Sequence, residues 1–208
     1  MCGIVGYHCP NPKPAHKKIL LNLIGESRIR GLHSFGLSFY DGVGYQTFKY
    51  HQREFDEITL PDAKQIIFHN RYATSGDYED HNNNQPLTFY EGSLVFNGVI
   101  DMRTKEEMAE HYGLELTTEN DGEILLKENE FLPEYMVKWI SEEKCSFSGL
   151  FLQGHTLYAF RNKNRPQWFL EYDGAVFMAS TRDIFRRAMG NVEPTELKPN
   201  TLHEWNIY

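Results

Sequence analysis

The chain begins Met1-Cys2-Gly3-Ile4-Val5-Gly6, a stretch that predicts a buried strand opening on a reactive residue. A residue as small as cysteine in second place favours removal of Met1, which would leave a thiol and a free α-amine on Cys2. The pKa of an α-amine is about 7.7–8.0 and that of a thiol about 8.5, so the amine can take the proton of the thiol near neutral pH. The alternative is an inert, apolar cysteine in a core strand.

Composition limits the class of protein and its partners. The 208 residues fit one domain, and the formal net charge of −8 argues against nucleic acid as the main partner. No apolar run reaches the roughly 20 residues of a membrane span, and no secretory signal pattern is present. Three cysteines without framework spacing favour a reducing cytoplasm. The spacing of Cys2, His8, Cys9 and His16 fits no zinc pattern, so no metal is expected.

Hydrophobic periodicity and turn residues predict strands in hairpins and helices in separate blocks. The predicted strands cover residues 2–7, 35–40, 45–51, 65–71, 87–90, 94–96, 146–153, 156–161, 168–172 and 175–179, with two short pieces around Leu197 and Trp205. The predicted helices cover residues 17–27, 104–112, 121–128, 133–143 and 183–189. This order argues for an α+β fold, with two packed antiparallel sheets and helices outside them.

Two arginines have two interpretations each. Arg30, followed by Gly31 at the exit of the first helix, is typical of a helix C-cap with the glycine in the left-handed conformation. Arg71 lies in His69-Asn70-Arg71-Tyr72-Ala73-Thr74-Ser75-Gly76 at a strand end, where it could hold a carboxylate through two parallel N–H bonds. The alternative for Arg71 is a rim position, paired with Asp77 or Glu79.

Two further stretches contain candidate polar groups. In Phe96-Asn97-Gly98-Val99-Ile100 a side-chain amide and a glycine N–H could donate to an oxyanion. Asn-Gly is also a preferred hairpin turn, although no flanking strands of a two-residue hairpin are evident. Asp121 begins a helix in Asn120-Asp121-Gly122-Glu123-Ile124-Leu125-Leu126, where it could serve as a plain N-cap.

Together these stretches form a family pattern. The order Cys-Gly-Ile-Val-Gly, Arg-Gly-x-x-Ser-x-Gly, His-x-Arg-Tyr-Ala-Thr-x-Gly, Gln-Pro, Asn-Gly and Asp-x-Glu-Ile resembles the class II glutamine amidotransferase domain. This is the N-terminal nucleophile (Ntn) glutaminase domain of amidophosphoribosyltransferase and glucosamine-6-phosphate synthase. The stretches 159–166, 177–181 and 197–199 are similar too, so the resemblance covers essentially the whole chain. It implies a four-layer αββα sandwich.

The resemblance implies the catalytic roles. Cys2 would attack the side-chain carbonyl of L-glutamine, with its own α-amine as base, and form a glutamyl thioester. Ammonia would leave, and water would then release glutamate. The side chain of Asn97 and the N–H of Gly98 would form the oxyanion hole, and Arg30 would support the N-terminal site. No cofactor is implied.

The resemblance also implies how glutamine is held. Arg71, helped by Thr74, would bind the α-carboxylate, and Asp121 would bind the α-ammonium. Residues 72–86, starting with Tyr72, would form a loop that closes over the substrate. Three positions depart from the family pattern. Phe96 stands where histidine is usual, His33 stands where aspartate is usual, and Ser75 stands where many relatives have another residue. His33 puts the packing under the site, and activity without a partner, in question.

Members of this family usually continue into a domain that consumes the ammonia. Because nothing follows Tyr208, we expect a single domain over residues 2–208 that passes ammonia to a separate synthetase or transferase in the cytoplasm. One alternative is an Ntn amidohydrolase for another γ-glutamyl or amide substrate, against which Arg71 and Asp121 argue. The other is a catalytically silent glutamine-binding or partner-docking module, which retention of Met1 would favour.

Overall fold

The structure is a computed structural model that describes residues 1–74, 76–142 and 145–208, with only the backbone of Glu57. The strands are β1 (Gly3–His8), β2 (Ser34–Tyr40), β3 (Tyr45–His51), β4 (Gln65–Arg71), β5 (Leu87–Phe89), β6 (Gly92–Val99), β7 (Ser146–Gln153), β8 (Thr156–Arg161), β9 (Trp168–Tyr172), β10 (Ala175–Ala179), β11 (Thr195–Glu196) and β12 (His203–Asn206). The α-helices are α1 (Pro14–Ser27), α2 (Lys105–Tyr112), α3 (Gly122–Glu128), α4 (Pro133–Glu142) and α5 (Arg182–Met189). Short 3₁₀ turns cover Arg28–Arg30, Gln52–Glu57 and His81–Asn83.

The strands form two antiparallel sheets. One has seven strands in the order β11-β9-β10-β1-β4-β2-β3, and the other has five in the order β12-β8-β7-β6-β5. The strand that follows Cys2, β1, lies inside the seven-stranded sheet and pairs with β4 and β10 on its two sides. Gly3 is opposite Asn70 in this register, so the start of β1 lies beside the end of β4.

Three apolar cores separate four structural layers. Helices α1 and α5 cover one face of the seven-stranded sheet, helices α3 and α4 cover one face of the five-stranded sheet, and the two remaining faces pack together. The core between the sheets contains Ile4, Ile67, Val95, Leu150 and Met178. The predicted α+β fold, a four-layer αββα sandwich, is therefore confirmed.

Strand alternation decides which side chains reach the space between the sheets. Successive residues of a strand point to opposite faces. Ile67 of β4 lies in the core between the sheets, whereas Phe68 lies in the core under α1. In β6, Val95 faces the other sheet and Phe96 faces α3 and α4. Arg71 and Asn97 continue the inward series of their strands, at the end of the sandwich where Cys2 precedes β1.

Most predicted elements are confirmed, and the differences have local causes. The strand predicted over 65–71 has these bounds, whereas α1 begins at Pro14, because proline fits the first turn of a helix. Thr104 and Glu107 form the predicted capping box of α2. The Asn-Gly hairpin alternative is wrong, because β6 runs through Asn97 and Gly98 to Val99. The predicted end of the fourth helix, Glu143, and the departure at Ser75 lie outside the described residues.

Leu150→Ala is expected to lower the free energy of unfolding by about 2–5 kcal/mol, because it opens a cavity between the sheets. Leu150 is fully buried in the core that joins them. Urea denaturation measures the change. Val43→Ala is the control: Val43 is 95% exposed at a hairpin turn, so we expect a change below about 0.5 kcal/mol. Equal effects at the two positions would contradict the assigned inter-sheet core.

Candidate active site

Cys2 lies at the entrance to β1 and is held by both sheets. Met1 precedes it, so the nitrogen of Cys2 is an amide, and its N–H donates to Oδ1 of Asn97 at 3.1 Å. Nε of Arg30 donates to the carbonyl oxygen of Cys2 at 2.9 Å. The thiol lies against the backbone of Tyr72, with Sγ 3.4 Å from the nitrogen and 3.6 Å from the carbonyl oxygen.

The surroundings of the thiol act on its ionisation in opposite directions. Burial raises the pKa of Cys2, and the hydrogen bond from the Tyr72 backbone, the N-terminal amine and Arg71 lower it. The pKa of the N-terminal amine, which here belongs to Met1, is lowered mainly by burial. Met1 itself is 61% exposed, so it can be reached for removal. Removal would place a basic amine on Cys2 itself.

Asn97 and Gly98 are consecutive residues of β6, and Asn97 contacts Cys2. The side chain of Asn97 is buried, and its Oδ1 is occupied by the N–H of Cys2. Its Nδ2 has no hydrogen-bond partner within the described part of the chain. A Cβ at Gly98 would overlap the carbonyl oxygen of Ser146, so only glycine allows β6 and β7 to approach this closely. The structure therefore brings Asn97 to Cys2, and the buried Nδ2 of Asn97 is a donor without a partner among the described residues.

Arg71 is inside the protein, at the end of β4. It is 3% exposed, so the alternative of a rim arginine is wrong. Its guanidinium donates to Oδ1 of Asn84 at 2.5 Å and to the carbonyl oxygen of Gly76 at 3.4 Å. Burial lowers its pKa, and the neighbouring Cys2 and Asp121 act in the opposite direction. A buried guanidinium in this position can bind an anionic group that enters the site.

Asp121 is also buried, and its carboxylate does not cap its own helix. Oδ2 accepts the backbone N–H groups of Ile100 at 2.6 Å and of Asp101 at 3.1 Å. The N–H of Gly122 is bonded instead to Oδ1 of Asn120 at 3.0 Å. The plain N-cap alternative is therefore wrong, although Asp121 does occupy the N-cap position. Burial raises the pKa of Asp121 to about 6, against the effect of the two backbone N–H groups.

The remaining predicted residues surround this centre. Tyr72 reaches Cys2 through its backbone, and its side chain is 49% exposed. Thr74 is exposed and precedes the undescribed Ser75. Arg30 bonds Cys2, and Gly31 has an extended φ of −156°, so the left-handed C-cap alternative is wrong. A Cβ at Gly31 would overlap the backbone of Asn70 and Arg71, which explains the glycine by close approach.

Four neighbouring residues were not assigned a role from the sequence. Asn84 anchors Arg71, and His33 contacts the loop that follows it. His69 is fully buried, and burial together with Arg71 lowers its pKa to about 3, so the ring is neutral. Burial lowers the pKa of Lys49 to about 8, and its Nζ donates to the carbonyl oxygen of His81. Two of the four had a signal in the sequence: His69 lies two residues before Arg71 on the same strand face, and His33 departs from the family pattern.

Within residues 1–74, 76–142 and 145–208, no group of three or more His, Cys, Asp or Glu residues could hold a metal ion. Among the helices in these ranges, none combines the length and apolar composition needed to cross a membrane.

Solved structures provide the comparison with known proteins. The glutamine phosphoribosylpyrophosphate (PRPP) amidotransferase from B. subtilis, complexed with ADP and GMP, is 20% identical, with a TM-score of 0.71. The allosteric regulatory enzyme of purine biosynthesis is 21% identical, with a TM-score of 0.71. Each match covers 100% of this chain and 49% of the other, so the chain spans about half the length of these enzymes.

A third structure matches along its entire length. The glutamine aminotransferase class-II domain protein from Silicibacter pomeroyi is 15% identical, with a TM-score of 0.61 and 100% of both chains covered. No protein-family model matches the sequence, and no curated protein sequence matches it. The chain therefore resembles class II glutamine amidotransferase domains and has their α+β sandwich fold.

Asp121→Asn is expected to stabilise the unliganded protein on the order of 2 kcal/mol above about pH 6, with the gain vanishing near pH 4. Burial raises the folded pKa of Asp121 to about 6, against about 3.9 in the unfolded chain. As pH rises through this window, Asp121 ionises in the unfolded wild type before it does in the folded protein. Ionisation therefore favours the unfolded state and lowers the stability of the wild type. Asparagine can still accept the backbone N–H groups of Ile100 and Asp101, because both donate to the same side-chain oxygen of residue 121.

Urea unfolding of the wild type and the variant across this pH range measures the effect. Asp62→Asn is the control, at a carboxylate that is 92% exposed; we expect a change below about 0.5 kcal/mol throughout. A stabilisation by Asp121→Asn that does not vary with pH would show that desolvation of this carboxylate is not its cause.

Proposed function

We propose that this protein hydrolyses L-glutamine to glutamate and ammonia through a thioester on Cys2, as the glutaminase component of a glutamine amidotransferase. One observation carries the proposal. The buried Nδ2 of Asn97 has no partner among the described residues, while Oδ1 of the same amide is bonded to the N–H of Cys2. A buried donor without a partner costs free energy. It is therefore suited to an oxygen that becomes negative only when substrate reacts with the neighbouring thiol.

The charges around the thiol support an α-amino acid as the substrate. Arg71 and Asp121 are both buried and both act electrostatically on Cys2. The α-carboxylate of an amino acid could bind the guanidinium of Arg71, and its α-ammonium could bind the carboxylate of Asp121. Tyr72 and Thr74, at the beginning of the following loop, would complete the binding site. The coarser function, glutamine-dependent amide transfer, is supported by the fold of the solved neighbours.

The proposed reaction needs no group beyond this chain, glutamine and water. After removal of Met1, the α-amine of Cys2 accepts the thiol proton and Sγ forms a bond to the side-chain carbonyl carbon. Nδ2 of Asn97 and the N–H of Gly98 would stabilise the oxyanion. The C–N bond then breaks, and the amine returns the proton to the departing ammonia. Water, deprotonated by the same amine, cleaves the thioester to give glutamate.

The proposal includes a destination for the ammonia. We propose that the chain acts as one domain over residues 2–208 and passes ammonia to a separate synthetase or transferase protein in the cytoplasm. The structural neighbour that matches over its entire length supports a domain of this extent. Glutamate release, measured with and without candidate acceptor proteins, tests this proposal. No release under either condition from protein with a free Cys2 amine would exclude it.

Intact mass before and after incubation with 6-diazo-5-oxo-norleucine, a glutamine analogue that alkylates nucleophiles, is the direct test. We expect loss of Met1 and a single adduct, because the analogue carries the α-carboxylate and α-ammonium for Arg71 and Asp121. Cys2→Ala should give no adduct. Cys9→Ala is the matched control, at a buried cysteine just beyond the other end of β1, and should still be labelled.

Retention of Met1 with no adduct would contradict the proposed enzymatic activity, because the acylated nitrogen of Cys2 cannot serve as the base. Labelling that persists in Cys2→Ala would assign the reaction to another residue. Turnover of simple amides without an α-carboxylate, at rates like those for glutamine, would instead favour an amidohydrolase of different specificity.

Asn97→Asp is expected to lower kcat for glutamine by roughly 10²–10³-fold and to leave KM within a few-fold, because an oxyanion donor acts in the transition state. Aspartate keeps an oxygen for the N–H of Cys2, replaces the Nδ2 donor with a second oxygen, and adds a negative charge that also opposes the oxyanion. Steady-state glutamate release measures both constants. Asn206→Asp, on an exposed edge strand, is the control. A loss of kcat no larger than in this control would exclude the oxyanion role.

A further inference from the structure

His33 lies outside the predicted set of site residues, yet it holds the segment that covers Cys2. It stands between the 3₁₀ turn Arg28–Arg30 and β2. Its backbone N–H donates to the carbonyl oxygen of Arg71 at 3.0 Å, which ties it to the end of β4. Its side chain then reaches the two residues that follow Arg71. The chain around His33 is thereby fixed to a strand of the central sheet.

The ring of His33 is stacked between two tyrosines. The centroid of the Tyr72 ring is 5.0 Å away with an interplanar angle of 27°, and that of Tyr78 is 4.7 Å away with an angle of 17°. Such offset stacking stabilises an aromatic pair beyond the area it buries. The side chain of Tyr72 is 49% exposed, so this stack, rather than a core, fixes the position of its ring.

A hydrogen bond fixes the backbone as well. Nδ1 of His33 is 2.9 Å from the backbone nitrogen of Ala73. An amide N–H can only donate, so Nδ1 carries the lone pair and the ring is the neutral tautomer with its proton on Nε2. The ring of His33 and its acceptor Nδ1 together hold residues 72 and 73. The backbone of Tyr72 in turn contacts Sγ of Cys2.

The other end of the same loop is anchored independently. Asn84 binds Arg71, Asn83 binds Glu119, and Lys49 donates to the carbonyl oxygen of His81. These bonds fix the guanidinium of Arg71 without using His33. A change at His33 should therefore disturb the thiol and its backbone neighbour, and leave the proposed carboxylate site intact.

We propose that His33 is a positioning residue for the proposed hydrolysis of glutamine: by stacking between Tyr72 and Tyr78 and accepting the N–H of Ala73, it holds the backbone N–H of Tyr72 on the thiol of Cys2. The expected effect of His33 on kcat rests on the proposed function. The structural content of the inference, the placement of Tyr72 on Cys2, can be measured without turnover.

Two pairs of variants separate the contributions. His33→Asn keeps an acceptor for the N–H of Ala73 and removes the aromatic ring, whereas His33→Phe keeps a ring and removes the acceptor. Tyr78→Leu removes one side of the stack from a loop position, and Tyr78→Phe keeps it. The double variant His33→Asn/Tyr78→Leu tests whether the two residues act as one unit.

Turnover, normalised to active sites by labelling with the diazo analogue, is the first measurement. We expect kcat to fall by about three- to tenfold in His33→Asn, His33→Phe and Tyr78→Leu, with KM within about threefold of wild type. Tyr78→Phe should match wild type. The kcat of the double variant should be at most about twofold below that of the slower single variant. Urea unfolding of each variant identifies any loss caused by instability alone.

The pH profile of Cys2 alkylation by iodoacetamide, followed by intact mass and peptide mapping, is the second measurement. A hydrogen bond to a thiolate favours the ionised form, so loss of the Tyr72 contact should move the profile to higher pH and slow alkylation at neutral pH about threefold. The charged groups that act on the thiol, namely the N-terminal amine, Arg30, Arg71 and Asp121, are unchanged in these variants. The shift therefore reports the Tyr72 contact.

The two measurements separate the possible failures. A wild type that releases no glutamate and gives no diazo adduct would contradict the proposed function, and the alkylation profiles would still decide the placement of Tyr72. Wild-type profiles and wild-type kcat in both His33→Asn and Tyr78→Leu would overturn the role of His33. So would fully additive losses in the double variant, because they would show that the stacked rings do not act together.

Discussion

The hydrogen bond from the N–H of Cys2 to Oδ1 of Asn97 is the constraint on which the geometry of the site depends. Cys2 enters the seven-stranded sheet and Asn97 belongs to the five-stranded sheet, so this one bond joins the two sheets beside the thiol. It also decides how the amide is oriented. Because Oδ1 is occupied, Nδ2 is the end of the side chain that is left to donate. Sliding of one sheet over the other would separate thiol and donor, and the core around Ile4 and Val95 opposes it.

The two buried charges make hydrogen bonds with neutral groups and also act electrostatically on each other. The guanidinium of Arg71 donates to an amide and a carbonyl oxygen, and the carboxylate of Asp121 accepts two backbone N–H groups. Burial lowers the pKa of Arg71 and raises that of Asp121, so desolvation disfavours the charged form of both. Such charges cost stability in the free protein. A zwitterionic amino acid would bring a carboxylate to Arg71 and an ammonium to Asp121, which gives the proposed substrate a physical reason to bind.

Local patterns predicted the elements well and the tertiary contacts less well. The strand over residues 65–71 and the capping box at Thr104 depend on nearby residues alone, and both are confirmed. The alternative interpretations of Arg30 and Asp121 as helix caps also depend only on residues nearby in the sequence, and both are wrong. Arg30 bonds Cys2 and Asp121 bonds the end of β6, which are distant in sequence. Residue type cannot show which distant backbone group a polar side chain will meet. The same limit explains why His33 was noted only as a departure from the family pattern.

The departures at His33 and Phe96 have different physical consequences. Phe96 precedes Asn97 on β6, so its side chain points to the opposite face of the sheet, where it stacks on Phe147 at 5.3 Å and 13°. A Cβ at Gly122 would overlap the ring of Phe96, so this ring packs closely against the first residue of α3. Asp121 immediately precedes that residue. An apolar ring at position 96 therefore packs behind the sheet against the residue that follows Asp121, whereas the aromatic ring at position 33 contacts the loop beside the thiol. Phe96 therefore bears on the packing next to Asp121, and His33 bears on the backbone of Tyr72 that contacts the thiol of Cys2.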